Sequence, residues 1–64
     1  MSAAQRAIVE MRRFGTAMKV TALDPDTLVE VSLQAPAATP QATLHKLALA
    51  KLARAIARAA AAAE

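Results

Sequence analysis

The segment Ala35-Pro36-Ala37-Ala38-Thr39-Pro40 splits this chain into two periodicities, and few folds accommodate both. Before it, apolar residues alternate with polar ones, the period of strands with one buried face. After it, apolar residues recur at three and four positions, the period of a helix. Charge divides at the same place. Residues 1–39 carry Arg6, Arg12, Arg13 and Lys19 against Glu10, Asp24, Asp26 and Glu30, which cancel. Residues 40–64 carry Lys46, Lys51, Arg54 and Arg58 against Glu64, so the whole net charge of +3 falls on the helical part.

The strand region reads as a meander. Residues 7–13 place Val9 and Met11 on one face and Ile8, Glu10 and Arg12 on the other. Gly15, the only glycine, marks a hairpin turn because it takes positive φ at little cost. A second strand over 17–23 sets Met18, Val20 and Ala22 against Lys19 and Thr21. Asp24-Pro25-Asp26-Thr27 then forms a turn, with Pro25 fixing φ and the carboxylates capping backbone N–H groups. A third strand over 28–34 alternates Val29, Val31 and Leu33 against Glu30 and Ser32.

Register follows from charge. A two-residue loop at Gly15-Thr16 would oppose Arg12 and Lys19. A four-residue loop over 13–16 opposes Glu10 to Lys19 and Met11 to Met18. Cross-strand pairs are worth ~0.2–1 kcal/mol each, which favours the longer loop. A loop over 24–27 in the second hairpin pairs Val20 with Val31 and Ala22 with Val29.

Thr39 is the expected helix cap and Pro40 the first helical residue. The helix is predicted over about 40–60, rich in Ala, Leu, Lys and Arg, all strong helix formers. Its apolar stripe is Leu44, Ala48, Leu52, Ala55, Ile56 and Ala59, with Leu49 at the edge and Leu47 outside it. Residues 59–63 bear only methyl side chains and are expected to fray unless covered. Twenty-odd helical residues span roughly 35 Å against about 23 Å for a seven-residue strand, so the helix overhangs its sheet.

These elements define an α+β fold: a three-stranded antiparallel β-meander followed by one long C-terminal helix on one sheet face, forming a single β-β-β-α domain over 1–64. The expected core is Val9, Met11, Met18, Val20, Val29, Val31, Leu33, Leu44, Leu52 and Ile56. The N-terminal residues before Ala7 fit either a strand extension or a short helix.

Chains this short bury only ~60% of their unfolded surface and commonly lean on disulfides, a metal or self-association. With no cysteine and with His45 as the sole histidine, the first two are closed to a single chain. A homo-oligomer or a protein assembly is therefore the expected context. Ile8, Leu47 and Leu49 are the candidate contact residues. No apolar run approaches the ~20 residues of a membrane span, which points to a cytoplasmic protein or an intracellular assembly, a viral particle included. Phe14 is the sole aromatic, which disfavours single-strand nucleic-acid platforms built on stacking.

Little in the sequence resembles catalytic machinery. Asp24 and Asp26 are explained by turn capping, and Glu10 and Glu30 by a charge ladder around Lys19 on a solvated face. His45 borders the apolar stripe, where a pH-sensitive contact is the sharper reading and a plain core boundary the simpler one. Phosphate loops, nucleophile elbows and metal-ligand spacings are absent, so no enzyme, cofactor, metal or small-molecule substrate is expected. Lys51, Arg54 and Arg58, with Lys46 further round the helix, form a basic ridge that could meet phosphates or an acidic partner; solvation and the helix dipole explain the same residues. The leading expectation is a non-enzymatic interaction module. A nucleic-acid-binding module using the basic helix face is the alternative, by fold-level analogy to sheets that enter the major groove.

Residues Met18-Lys19-Val20-Thr21-Ala22-Leu23-Asp24-Pro25, Glu30-Val31-Ser32 and Ala35-Pro36-Ala37, with Leu44, Leu47-Ala48-Leu49 and Lys51-Leu52, resemble a short uncharacterised alphaproteobacterial family. The resemblance implies a strand meander plus helix and no assigned activity, so it transfers no site residues. Two positions depart from the family pattern, which has glycine where Leu28 and Ala35 stand. Leu28 then puts a branched side chain where positive φ is needed, so that turn must differ or carry strain. The Ala-rich tail after Arg58 also departs from it.

Overall fold

The computed structural model describes residues 6–63. Strands β1 (Ile8–Phe14), β2 (Ala17–Leu23) and β3 (Glu30–Pro36) precede helix α1 (Gln41–Ala62). The strands form an antiparallel sheet in the order β1-β2-β3, and the helix packs on one face of it. The α+β meander read from periodicity is the fold of the chain, and the open question about residues before Ala7 falls largely on 1–5, outside the described residues.

Both hairpin registers differ from expectation, the first from the charge argument and the second from the loop over 24–27. The first loop is the two-residue Gly15-Thr16, so Arg12 faces Lys19, Met11 faces Val20 and Glu10 faces Thr21. Gly15 has φ 59 and Thr16 does not share the positive region, the signature of a type II′ turn with glycine first. Such a turn matches the strand twist, whereas the like-charge pair it creates is exposed and screened. Arg12 also gains a contact of its own, its guanidinium lying 5.7 Å from the centroid of the Phe14 ring. That cation–π contact is worth ~0.5–1 kcal/mol at an exposed site, comparable to the cross-strand term that favoured the other loop.

The second hairpin is shifted by two residues, pairing Val20 with Leu33, Ala22 with Val31 and Leu23 with Glu30. The third strand therefore begins at Glu30 rather than Leu28. Leu28 bends the connection instead, with φ 63, its N–H donating to the Asp24 carbonyl at 2.8 Å while the Asp24 N–H donates to the Val29 carbonyl at 2.9 Å. This is the strain that the leucine implied.

Helix initiation also moves. Pro40, with φ −57 and ψ 139, is the residue before the helix, and no side chain caps it. Thr39 instead donates its backbone N–H to the Pro36 carbonyl at 2.9 Å, a turn that places it one position too early to cap. At the other end the helix continues through Ala62, with every side chain from Ala57 onward exposed. Alanine's helix propensity carries the ladder where packing does not.

Val20, Ala22, Leu44, Ala48 and Leu52 are fully buried, all of them on β2 or α1. Val9, Met11, Met18, Val29, Val31, Leu33 and Ile56 pack around them half-buried, together with Ala7 and Ala35. All ten expected core residues lie in this cluster. Ala22 and Ala48 were absent from that expectation because small side chains give a weak hydrophobic signal, yet they sit at its centre. The molecule measures 41 × 20 × 15 Å. Its long axis exceeds the ~23 Å of a seven-residue strand, in keeping with a helix of about 33 Å that overhangs the sheet.

Two stability outcomes follow. Leu28 is 74% exposed, so Leu28→Gly loses little packing while removing a left-handed penalty of ~1–2 kcal/mol, part of it returned through glycine's looser unfolded chain. Thermal unfolding should show a gain of roughly 0.5–1 kcal/mol, a few degrees in Tm for a domain of this size. Leu44→Ala should cost about 2–5 kcal/mol. Circular dichroism should show that variant largely unfolded at 37 °C.

Candidate interaction surface

The pleat places Ile8, Glu10, Arg12, Phe14, Lys19 and Glu30 on the face of the sheet opposite α1. Reading across β1, β2 and β3, its rows are Ile8-Leu23-Glu30, Glu10-Thr21-Ser32, Arg12-Lys19-Gln34 and Phe14-Ala17-Pro36. The two middle rows are polar and the two end rows begin with large apolar side chains. Ile8 and Phe14 are 58% and 56% exposed. Phe14 was not among the expected contact residues, although its even-numbered place in an alternating strand, directly before the glycine turn, assigns it to the same face as Ile8.

The two sheet edges are not alike. Lys51 Nζ donates to the Ser32 carbonyl at 2.6 Å, tying the helix to the outer edge of β3. Pro36 ends that strand without an N–H to offer. The β1 edge has no such cover, because α1 packs chiefly on β2 and β3.

Lys51 also fixes which flank of the helix is which. At 100° per residue, Leu47 lies on the same side as Lys51, Arg54 and Arg58, toward and beyond β3. Leu49 and Ile56 lie on the opposite flank, toward β1. Leu47 is 50% exposed and Leu49 half-buried. Ile8, Leu47 and Leu49 therefore occupy three different surfaces: the open sheet face, the β3 flank and the β1 flank. Of the basic ridge, Lys51 is half-buried and engaged with the sheet, while Lys46, Arg54 and Arg58 are exposed. Arg58 lies a full turn before the helix end, where no basic residue occupies the last turn, so the helix dipole does not account for it. His45 is exposed rather than bordering the core.

Asp24 is the one buried charged side chain among the described residues, with no solvent exposure. Its Oδ2 accepts from the Thr27 hydroxyl at 2.7 Å and its Oδ1 from the Asp26 N–H at 3.1 Å. Thr27 Oγ1 in turn accepts from the Val29 N–H at 3.3 Å. This is the capping role expected of the turn acid, and it holds the loop that Leu28 bends. The Thr27 hydrogen bond, joined by backbone N–H groups and Arg6, lowers the Asp24 pKa below its usual 3.8 against the opposing effect of burial. Asp26 forms an exposed ion pair with Arg6 at 3.3 Å, of the kind worth ~0.2–1 kcal/mol. Among the described residues there is no group of three or more potential metal ligands, no enclosed pocket, and no helix long and apolar enough to cross a membrane.

A carboxylate with a lowered folded-state pKa stabilises the fold above its unfolded pKa and loses that contribution as pH falls through the folded value. Asp24 therefore contributes in full near neutrality, and its contribution is lost progressively as pH falls below about 5 and through the lowered folded value. Replacing it by alanine should lower stability at pH 7 and flatten the acid limb of an unfolding-against-pH curve. An unchanged acid limb would show that Asp24 does not control it.

Residues 4–59 match the family model described as a domain of unknown function, DUF6898. The match covers most of the chain, and the chain belongs to that family. No curated protein and no solved structure matches it.

Proposed function

We propose that this DUF6898 member is a non-enzymatic interaction module that self-associates, alone or as a subunit of a larger assembly. The observation that carries the reading is the distribution of burial. Three large apolar side chains, Val20, Leu44 and Leu52, are fully buried with two alanines, at about 1.5–3 kcal/mol for each large one. Against the entropy of ordering some sixty residues, that core is small. Meanwhile β1 contributes no fully buried residue, its free edge is uncovered, and Ile8, Phe14 and Leu47 are at least half exposed. Association with a second chain buries such surface and completes the core.

The basic helix face supports nucleic-acid binding less well. Lys51 is directed to the sheet, which leaves Arg54 and Arg58 as the exposed part of the ridge, with Lys46 further round the helix and no aromatic on that face to stack on bases. A reducing intracellular setting is proposed with the module, on the absence of cysteine.

Sedimentation or light scattering over a dilution series should give a mass at tens of micromolar that is a multiple of 6.7 kDa, falling on dilution. A well-folded monomer across that range would overturn the proposal. Leu47→Glu tests the contact assigned to the helix flank, and unchanged association in that variant removes Leu47 from the interface. Duplex DNA titrated at ~50 mM salt tests the alternative, since phosphate-driven binding is strongest there.

A further inference from the structure

The proposed self-association leaves open which surface meets which, and the β1 edge answers that from its own sequence. Two backbone bonds flank the β2–β3 ladder: the Ala37 N–H donates to Thr16 O at 2.8 Å and the Asp24 N–H to Val29 O at 2.9 Å. Both fall on even-numbered residues at the ends of β2. Even residues of β2 therefore bond to β3 and odd residues to β1, because backbone groups alternate sides along a strand. Lys51 reaching the Ser32 carbonyl on the outer edge of β3 agrees with this alternation. On β1, the partners of Ala17, Lys19, Thr21 and Leu23 are Phe14, Arg12, Glu10 and Ile8. That leaves Val9, Met11 and Arg13 aiming their N–H and C=O groups out of the open edge.

An antiparallel second copy of β1 can use those groups only if residues of like parity face each other. Centring the pair on Glu10 opposes two glutamates, and centring it on Arg12 or Arg13 opposes two arginines. Centring it on Met11 opposes Glu10 to the second copy's Arg12, Ile8 to its Phe14, and Val9 to its Arg13, each twice by symmetry. In that register the ladder bonds come from Met11, Val9 and Arg13, while Glu10-Arg12 and Ile8-Phe14 are the close, non-hydrogen-bonded pairs on the open sheet face.

We propose that two copies of this chain join through their β1 edges in the Met11-centred antiparallel register, giving a six-stranded sheet with both helices on one face. The pairing rests on the self-association reading and specifies its surface. It accounts for three features of the single chain. Arg12 faces Lys19 with no acid opposite either, and the partner's Glu10 meets that cationic pair. Glu10 has no ion pair within the chain among the described residues, and finds one. Ile8 and Phe14, more than half exposed at opposite ends of β1, become cross-strand neighbours, so that Leu23, Ile8 and the partner's Phe14 and Ala17 form one apolar row. Strand addition of this kind draws affinity from main-chain bonds and specificity from alternate side chains.

Charge reversal separates this register from association in general. Glu10→Arg and Arg12→Glu each place like charges opposite one another at two symmetric positions. Each should weaken the dimer at least about tenfold, and the double variant should restore it. Arg12→Glu is the sharper of the two, because within one chain it sets an acid opposite Lys19; thermal unfolding of the monomer should hold or improve while dimerisation is lost. Because the chain has no cysteine, Met11→Cys introduces a single thiol that should form an intermolecular disulfide under mild oxidation, whereas Gln34→Cys on β3 should not. A dimer indifferent to both single reversals, or one in which Gln34→Cys cross-links and Met11→Cys does not, would overturn the register while leaving self-association standing. A monomeric wild-type chain would overturn both.

Discussion

One helix cannot cover three strands, and most of this structure follows from which two it covers. A helix is ~10 Å across and neighbouring strands lie ~4.8 Å apart, so α1 shields about two strands' width of sheet. The short connection from Pro36 to Gln41 keeps it near β3. Its central contact is with β2, where Ala22 and Ala48 are buried among Val20, Leu44 and Leu52. Small side chains at the middle of the contact let helix and sheet approach closely, and the larger ones close around them. β2 is thus paired on both sides and capped by the helix, whereas β1 is paired on one side and covered only at its margin.

Periodicity carried the architecture because burial acts on every residue of an element. Alternation over Val9 to Leu33 and the three-four spacing from Leu44 to Ile56 each repeat one signal several times, so the strands, the helix and the core residues were legible. Registers depend on single loops, and there the sequence misled. The Arg12-Lys19 pair looked unfavourable on charge, but a type II′ turn at Gly15 matches the twist of the flanking strands, and an exposed pair of cations is cheap in salt water. The second loop runs two residues longer than a Pro-Asp turn suggests because Asp24 acts beyond its own position, holding Asp26 and Thr27 while Leu28 turns the chain. Thr39 had the chemistry of a cap but stood one residue early, displaced by the turn that returns its N–H to Pro36.

The surface was legible in composition more than in arrangement. Ile8 and Leu47 were marked correctly as exposed apolar positions, yet three-dimensional grouping depends on the register and on which flank of the helix faces β3. Neither is written in local spacing. Lys51 illustrates the gap: as a member of a basic row it looked available to an external anion, and only the fold brings the Ser32 carbonyl within its reach. Phe14 was passed over for a similar reason, since an aromatic beside a turn glycine reads as part of the turn until the strand is seen to run through it.

Edge strands invite pairing unless something on them forbids it, and the two edges here differ in that respect. β3 carries the defences, with a lysine on its outer carbonyl and a proline whose missing N–H would have faced outward. β1 carries charge too, but of both signs, at positions 10, 12 and 13. A run of lysines would repel a second copy in every register. Glu10 followed at two residues by Arg12 repels itself in the neighbouring registers and attracts itself in one, which turns a device that elsewhere keeps edges apart into one that selects how they meet. The same strand has Ile8 and Phe14 equidistant from Met11, so the register that satisfies the charges also matches the apolar ends. Charge and hydrophobicity are independent constraints on a seven-residue strand, and their agreement on one centre is what separates this edge from an exposed strand that is merely unprotected.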